Sequence, residues 1–293
     1  MSEKSTVDNI FASISFGYYH FTSAEKKVAD YVLSHKTDVQ YMSISELADD
    51  CGAAEATISR FCRRLKLTGY NAFKLAVAKA VTEEKGSVSS VLEGQAGDIL
   101  PDDSISELGR KLYTAQTAAI AQSLALLRPE VITQAVDLLE GARVVYCMGQ
   151  GGSMLLAMEA AHLFSTVSEK FFAIQGSHMQ ASAAALMTPK DVLLFFSYSG
   201  STKEIVELMT LARTRGAKII LVTRFAKSPG AAQADVVLQC GSNEGPFHLG
   251  SMPAKMAQLF VVDVMYNEFI RRDPDNSRRC QELIAEALAE KHL

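Results

Sequence analysis

The sequence predicts an all-α helix-turn-helix domain over residues 1–81, a linker at 82–103, and an α/β domain over 104–293 with a doubly wound, five-stranded parallel sheet. Three observations carry this expectation. From Thr22 to Lys79 the apolar residues fall three and four apart, the period of a helix face. Between Thr82 and Asp103 the composition turns to Glu, Ser, Gly and Pro with weak periodicity, as linkers do. Beyond Gly141, short apolar runs alternate with helical segments, the pattern of buried parallel strands with crossover helices. A chain of 293 residues, 48% of them hydrophobic, has room for two such cores.

In chain order, Thr22 with Glu25 and Ser43 with Glu46 have the Ser/Thr-x-x-Glu spacing that satisfies the free N–H groups of a helix start. Helical stretches are expected at Ser104–Leu127 and Pro129–Glu140, with Pro129 in a first turn and Gly141 at an end. Strands are expected at Val144–Met148, Lys170–Ile174, Val192–Ser197, Lys218–Thr223 and Val236–Cys240. Helices Ser153–Ser165 and Thr202–Arg215 lie between them, the latter closed by Gly216. Helical periodicity returns at Lys255–Arg271 and Ser277–Lys291.

Helix Ser43–Asp50, the break Cys51-Gly52-Ala53 and helix Ala54–Leu65 form two short helices joined by a Gly-containing turn, which presents the second helix outward. Ile58, Phe61, Cys62 and Leu65 make its apolar face, leaving Thr57, Ser59, Arg60, Arg63 and Arg64 on the other. Those are base-edge and phosphate-contacting side chains. From Ala56 to Thr82 the chain holds Arg60, Arg63, Arg64, Lys66, Lys74 and Lys79 and no Asp or Glu. In a protein of net charge −4 and pI near 5.9, that is a local basic patch, and double-stranded DNA is the partner it suits.

This region resembles the N-terminal domain of the RpiR family of transcriptional regulators, through Ser43-Ile44-Ser45-Glu46-Leu47-Ala48, Ala56-Thr57-Ile58-Ser59-Arg60-Phe61 and Gly69-Tyr70-Asn71-Ala72-Phe73-Lys74. The resemblance covers about the first eighty residues and adds Tyr70 to the DNA-contacting set of Thr57, Ser59, Arg60, Arg63, Arg64, Lys66 and Lys74. The chain departs from the family at two positions. Ala54 stands where a Ser usually caps the recognition helix, and Lys66 where a Gly usually ends it; the missing hydroxyl leaves that helix start without a cap.

In the second domain, Val192-Leu193-Leu194-Phe195-Phe196 runs into Ser197-Tyr198-Ser199-Gly200-Ser201-Thr202 and a helix. A strand, a hydroxyl-rich turn and a helix start together make an anion site, because free N–H groups and the helix dipole favour negative charge there. The first strand likewise runs into Gly149-Gln150-Gly151-Gly152-Ser153. In a sheet of order 2-1-3-4-5, turns after strands one and three flank the crevice where strand order reverses, so the two turns are expected to share one pocket.

Neither turn is a dinucleotide or nucleotide motif. Met154 occupies the third glycine position of Gly-x-Gly-x-x-Gly, and no Gly-Lys-Ser/Thr follows either turn. No cofactor and no metal are expected. The two turns instead resemble the sugar isomerase domain shared by sugar-phosphate isomerases and RpiR-type regulators, from about Leu108 to Tyr266. That resemblance implies that Ser197, Ser199 and Thr202 hold a sugar's phosphate, with Ser201 near it. Tyr198 and Gly200 complete that turn, and Gly151, Gly152 and Ser153 reach the ligand from the other.

An isomerase needs a base at the crevice, for which His178, before a helix, and Glu244 and His248, in a loop, are candidates. Fusion to a helix-turn-helix favours a non-catalytic role: a DNA-binding regulator of carbohydrate-metabolism genes, switched by a phosphorylated sugar, with repression as the default. The alternatives are a sugar-phosphate isomerase with an accessory domain and a module that recruits another protein. Paired half-sites require at least a homodimer, with a homotetramer as the alternative. Scattered cysteines at 51, 62, 147, 240 and 280, the lack of a signal sequence and the lack of any membrane-length apolar run place the expected location in the cytoplasm.

Overall fold

The computed structural model describes residues 9–85, 99–242 and 251–289. The chain divides into two compact units that part between Tyr113 and Thr114. The expected linker begins inside a helix, since residues 82–85 still belong to the helix started at Tyr70.

The first unit holds α1 (Ile10–Gly17), α2 (Ser23–Ser34), α3 (Ile44–Cys51), α4 (Glu55–Arg64) and α5 (Tyr70–Lys85). Both predicted capping boxes form, Thr22 with Glu25 on α2 and Ser43 with Glu46 on α3. Gly52 takes φ +62° after α3, a turn that a side chain would disfavour. The apolar period of α2 to α5 converges on one core, in which Val28, Val32, Leu47, Ile58, Phe61, Phe73 and Val77 are fully buried. Phe61 packs edge-on against Phe21 and Phe73, with centroids 5.1 and 6.0 Å away. Helix α1 carries no strong sequence signal; Asn9 caps it, and Ile10, Phe11 and Ile14 dock it onto the same core.

The second unit is built on a five-stranded parallel sheet, β1 (Val144–Gly149), β2 (Phe171–Ala173), β3 (Asp191–Phe196), β4 (Lys218–Thr223) and β5 (Val236–Gln239), in the order β2-β1-β3-β4-β5. Six helices follow in sequence: α6 (Ile105–Leu126), which spans the division, then α7 (Pro129–Gly141), α8 (Gly152–Ser165), α9 (Ser177–Leu186), α10 (Lys203–Thr214) and α11 (Met252–Arg272). A final helix, α12, covers Pro274–Ala289.

Side chains alternate across the strands, so each face builds its own core. Val145, Cys147, Leu194 and Phe196 pack with α7, α8 and α11, while Leu193, Phe195, Ile219 and Leu221 pack with α9 and α10. The register is fixed at the N-terminal strand ends by Asp191, fully buried, whose carboxylate accepts from the Thr188 N–H and hydroxyl and from Arg143 at 2.8, 2.9 and 2.9 Å. No helix among the described residues is long and apolar enough to cross a membrane.

Candidate functional site

Strands β1 and β3 are neighbours, and Gly149 pairs in register with Phe196. Both strands therefore end level, and the turns that follow them leave the sheet side by side at the point where strand order reverses.

The β3 turn is shaped by a glycine and by its own hydroxyls. Gly200 has φ +59°, and a Cβ there would stand 2.1 Å from Ser228 Oγ. The buried Ser197 Oγ accepts the Gly200 N–H at 3.0 Å, and Ser199 Oγ accepts the Ser201 N–H at 3.3 Å. A hydroxyl that accepts still has its proton to give, so these two serines keep donors. Ser201 spends its proton on the Ser199 carbonyl at 2.9 Å. Thr202 is exposed and stands as N-cap of α10 in extended conformation, its side chain making no cap bond. The end of β4 and the loop after it brace the turn: Arg224 N–H and Thr223 Oγ1 both donate to the Tyr198 carbonyl at 3.1 Å, and Gly230 N–H donates to the Gly200 carbonyl at 2.8 Å.

The β1 turn is also tight, here against backbone. A Cβ on Gly149 would stand 2.6 Å from the Ser153 carbonyl oxygen, and Gly151 has φ +54° as N-cap of α8. Gly152 and Ser153 fill the first turn of α8, whose positive dipole end favours an anion, while the Ser153 and Met154 N–H groups donate to the Gln150 and Gly151 carbonyls at 3.0 and 3.1 Å. Its support is Gln180, fully buried in α9, whose amide donates to the Gly149 and Ile174 carbonyls at 3.0 and 2.9 Å and accepts from Gln150 at 2.7 Å.

Sequence reasoning missed Gln180. Its one signal is that it is the sole carboxamide in a helix otherwise of Ala, Ser, apolar residues and His178. Ser228, Gly230 and Arg224 were missed too, and nothing in the sequence ties them to a turn some thirty residues earlier.

His178 is placed differently from expectation. It lies within the first turn of α9 rather than before a helix, with its side chain exposed. Glu244 and His248 lie outside the described residues.

On the helix-turn-helix, Ser59, Arg60 and Arg63 lie on the open side of α4, Ser59 half-buried and Arg60 and Arg63 exposed. Three expected residues have other work. Thr57 is 5% exposed and receives a hydrogen bond from Arg60 at 3.2 Å, so it faces inward and steadies Arg60. Arg64 turns toward α2 and donates to Glu25 at 2.8 Å and to the His20 carbonyl at 2.7 Å. Tyr70 reaches back to the Met42 and Ser43 carbonyls at 3.1 and 3.3 Å, and burial pushes its phenol up. For Thr57 and Arg64, the helical period marks a face but cannot show what packs over its margin; for Tyr70, the covering Met42–Ser43 segment lies far away in sequence.

Lys66 is exposed with φ +63° and ends α4 in the left-handed setting that favours glycine. Ala54 is the N-cap of α4 and supplies no side-chain bond. At that helix start Glu55 instead accepts from the Ser45 hydroxyl. Lys74 is half-buried on α5.

Comparison with known proteins bears on both units. Residues 8–84 match the helix-turn-helix domain of the rpiR family, and residues 138–268 match the SIS domain. An uncharacterized HTH-type transcriptional regulator of Caldanaerobacter subterraneus subsp. tengcongensis is 33% identical over 84% of this chain and 85% of its own length. The HTH-type transcriptional regulator HexR of Pseudomonas aeruginosa is 30% identical over 88% of this chain and 87% of its own. Among solved structures, the Vibrio vulnificus NanR protein complexed with ManNAc-6P has a similar fold, with a TM-score of 0.84 over 97% of this chain and 99% of that one, at 23% identity.

Proposed function

We propose, for a chain that belongs to the rpiR family of HTH-type transcriptional regulators, that the paired β1 and β3 turns bind a sugar phosphate whose occupancy governs DNA binding by α4. The observation that supports this reading is the Gly149–Phe196 register, because turns leaving two neighbouring strands at one level flank the crevice expected where strand order reverses. The phosphate is received by the hydroxyls of Ser197, Ser199 and Thr202, with Tyr198, Gly200 and Ser201 completing the turn that presents them. Gly151, Gly152 and Ser153 approach from the other turn. A neutral sugar body projects away from the strand ends, where His178 stands on the rim.

DNA is read by Ser59, Arg60 and Arg63, with Lys66 and Lys74 on the phosphate backbone and Thr57 holding Arg60 in place. The protein acts in the cytoplasm as at least a homodimer, because two half-sites need two heads. Binding without turnover suits a sensor, and the default action is repression lifted by the sugar phosphate. That the similar NanR protein is complexed with ManNAc-6P supports a phosphosugar as the ligand class.

The test is a thermal-shift screen of hexose 6-phosphates and N-acetylmannosamine 6-phosphate, followed by footprinting on the DNA upstream of the chain's own gene. A ligand that raises stability by mass action and changes salt-sensitive protection of that DNA is the expected result. Conversion of any of these sugars to an isomer would replace the regulator with an enzyme.

A further inference from the structure

Ser242, just past β5, is a junction of three elements. Its φ is +91° and it is 4% exposed, a backbone setting that costs an L-residue energy and persists only where surroundings enforce it. The enforcing bonds are on hand. The Ser242 carbonyl accepts from the Tyr198 phenol at 2.9 Å and from Arg224 Nε at 3.1 Å. Its N–H donates to Gln122 Oε1 at 3.0 Å, and the adjacent Gly241 N–H donates to Ser123 Oγ at 2.9 Å.

Gln122 and Ser123 belong to α6, which lies hard against this point: a Cβ on Gly241 would stand 2.4 Å from Gln122 Cβ and 2.7 Å from Ser123 N. An unbroken path of hydrogen bonds thus begins in the β3 turn, at Tyr198, crosses the Ser242 backbone and ends on α6. From α6 the chain runs back through residues 82–103 to the helix-turn-helix.

We propose that Tyr198, Ser242 and the Gln122–Ser123 pair form a relay by which the state of the β3 turn sets the seating of α6. Gln122 and Ser123 act as positioning residues, since neither belongs to the β3 turn itself. The relay has two discrete settings. With the Tyr198 bond made, Ser242 is held at positive φ and α6 is clamped to the end of β5. With it broken, the Arg224 bond still holds the Ser242 carbonyl, but Ser242 is freer to leave positive φ, and the bonds from the Ser242 and Gly241 N–H groups to Gln122 and Ser123 weaken. A ligand that shifts Tyr198 biases one setting by its differential affinity alone. This inference rests on the β3 turn being the effector site proposed above.

Position between two sites is not coupling, so the test reads coupling directly, by hydrogen exchange on the full-length chain. Gln122→Ala is expected to speed exchange of the Ser242 amide about five- to tenfold and, by reciprocity, to speed the Gly200 and Ser201 amides across the relay. The Ser153 and Met154 amides of the β1 turn, which Gln180 supports, keep wild-type rates. Gln122→Glu keeps an acceptor oxygen and restores all of them. Unchanged Gly200 and Ser201 exchange in Gln122→Ala would overturn the relay. Should that variant not fold, Tyr198→Phe removes only the phenol oxygen, and α6 amides over 119–126 that then exchange at wild-type rates overturn it equally. Stabilisation of the wild-type chain by inorganic phosphate is measured separately; its absence sinks the effector-site reading, while the exchange data still decide the relay.

Discussion

Arg64, on the recognition helix, donates to Glu25 on α2 at 2.8 Å, and the same carboxylate oxygen accepts from the Thr22 N–H at 2.8 Å as half of the α2 capping box. One oxygen thereby fixes a helix start and the tilt of α4 together. Glu25 is 7% exposed, so removing its cation strands a buried charge.

Arg64→Ala is therefore expected to lower the stability of the helix-turn-helix unit by about 1–2 kcal/mol, scaled down from a buried pair because the Arg64 side chain is 45% exposed. Arg63→Ala should leave stability unchanged and instead weaken DNA binding while reducing the salt slope by about one. Urea unfolding beside operator titration at several salt concentrations separates the two, and a stable Arg64→Ala with weakened, less salt-dependent DNA binding would return Arg64 to the DNA face.

Glu25 also gives the acid limb of stability a sign. Burial pushes its carboxyl up, but the Thr22 hydrogen bonds and the Arg64 and Arg60 charges outweigh burial, leaving it below its ordinary 4.5. A depressed folded-state carboxylate contributes stability that is present above pH 4.5 and disappears as pH falls through the folded value. In Arg64→Ala that acid-dependent loss should be smaller than in wild type, as read from urea midpoints above and below pH 4.5.

Two departures from the family pattern should be reversible. Ala54→Ser supplies the absent cap on α4 and is expected to add about 1 kcal/mol. Lys66→Gly relieves φ +63° and is expected to add roughly 1 kcal/mol, while removing one phosphate contact. Thermal melts give the first effect and the salt slope of DNA binding the second; a Lys66→Gly protein of unchanged stability would mean that its neighbours already offset the strain.

Gly200→Ala must both adopt φ +59° and displace Ser228, whose Oγ would lie 2.1 Å away. A loss of about 2–3 kcal/mol is expected, together with loss of the stabilisation that a sugar phosphate confers. Retained stabilisation by ligand in this variant would move the anion away from the β3 turn.

Much of the architecture was readable because it rests on local chemistry. Both capping boxes, the Gly52 turn and the five strands follow from periodicity and helix-start residues, while the 2-1-3-4-5 order is the expectation of a doubly wound fold of the flavodoxin-like kind. Short β2 contracted from the expected Lys170–Ile174 to Phe171–Ala173, since pairing with β1 alone sets its length. The hydroxyl-rich turn was readable too, as a string of residues with one chemistry.

What the sequence determined by itself was the kind of groups present in each unit: basic side chains on one short helix, hydroxyls and glycines after two strands. Tertiary structure decided which of them are free. Thr57, Arg64 and Tyr70 share the composition of a DNA-contacting set, yet packing against α2 and the Met42–Ser43 segment turns them to internal work. Gln180, Ser228, Ser242 and Gln122 carry no signal in a local window, because each gains its role from a backbone group brought near only by folding. Local sequence sets hydrogen-bonding capacity; contacts between distant segments decide where that capacity is used.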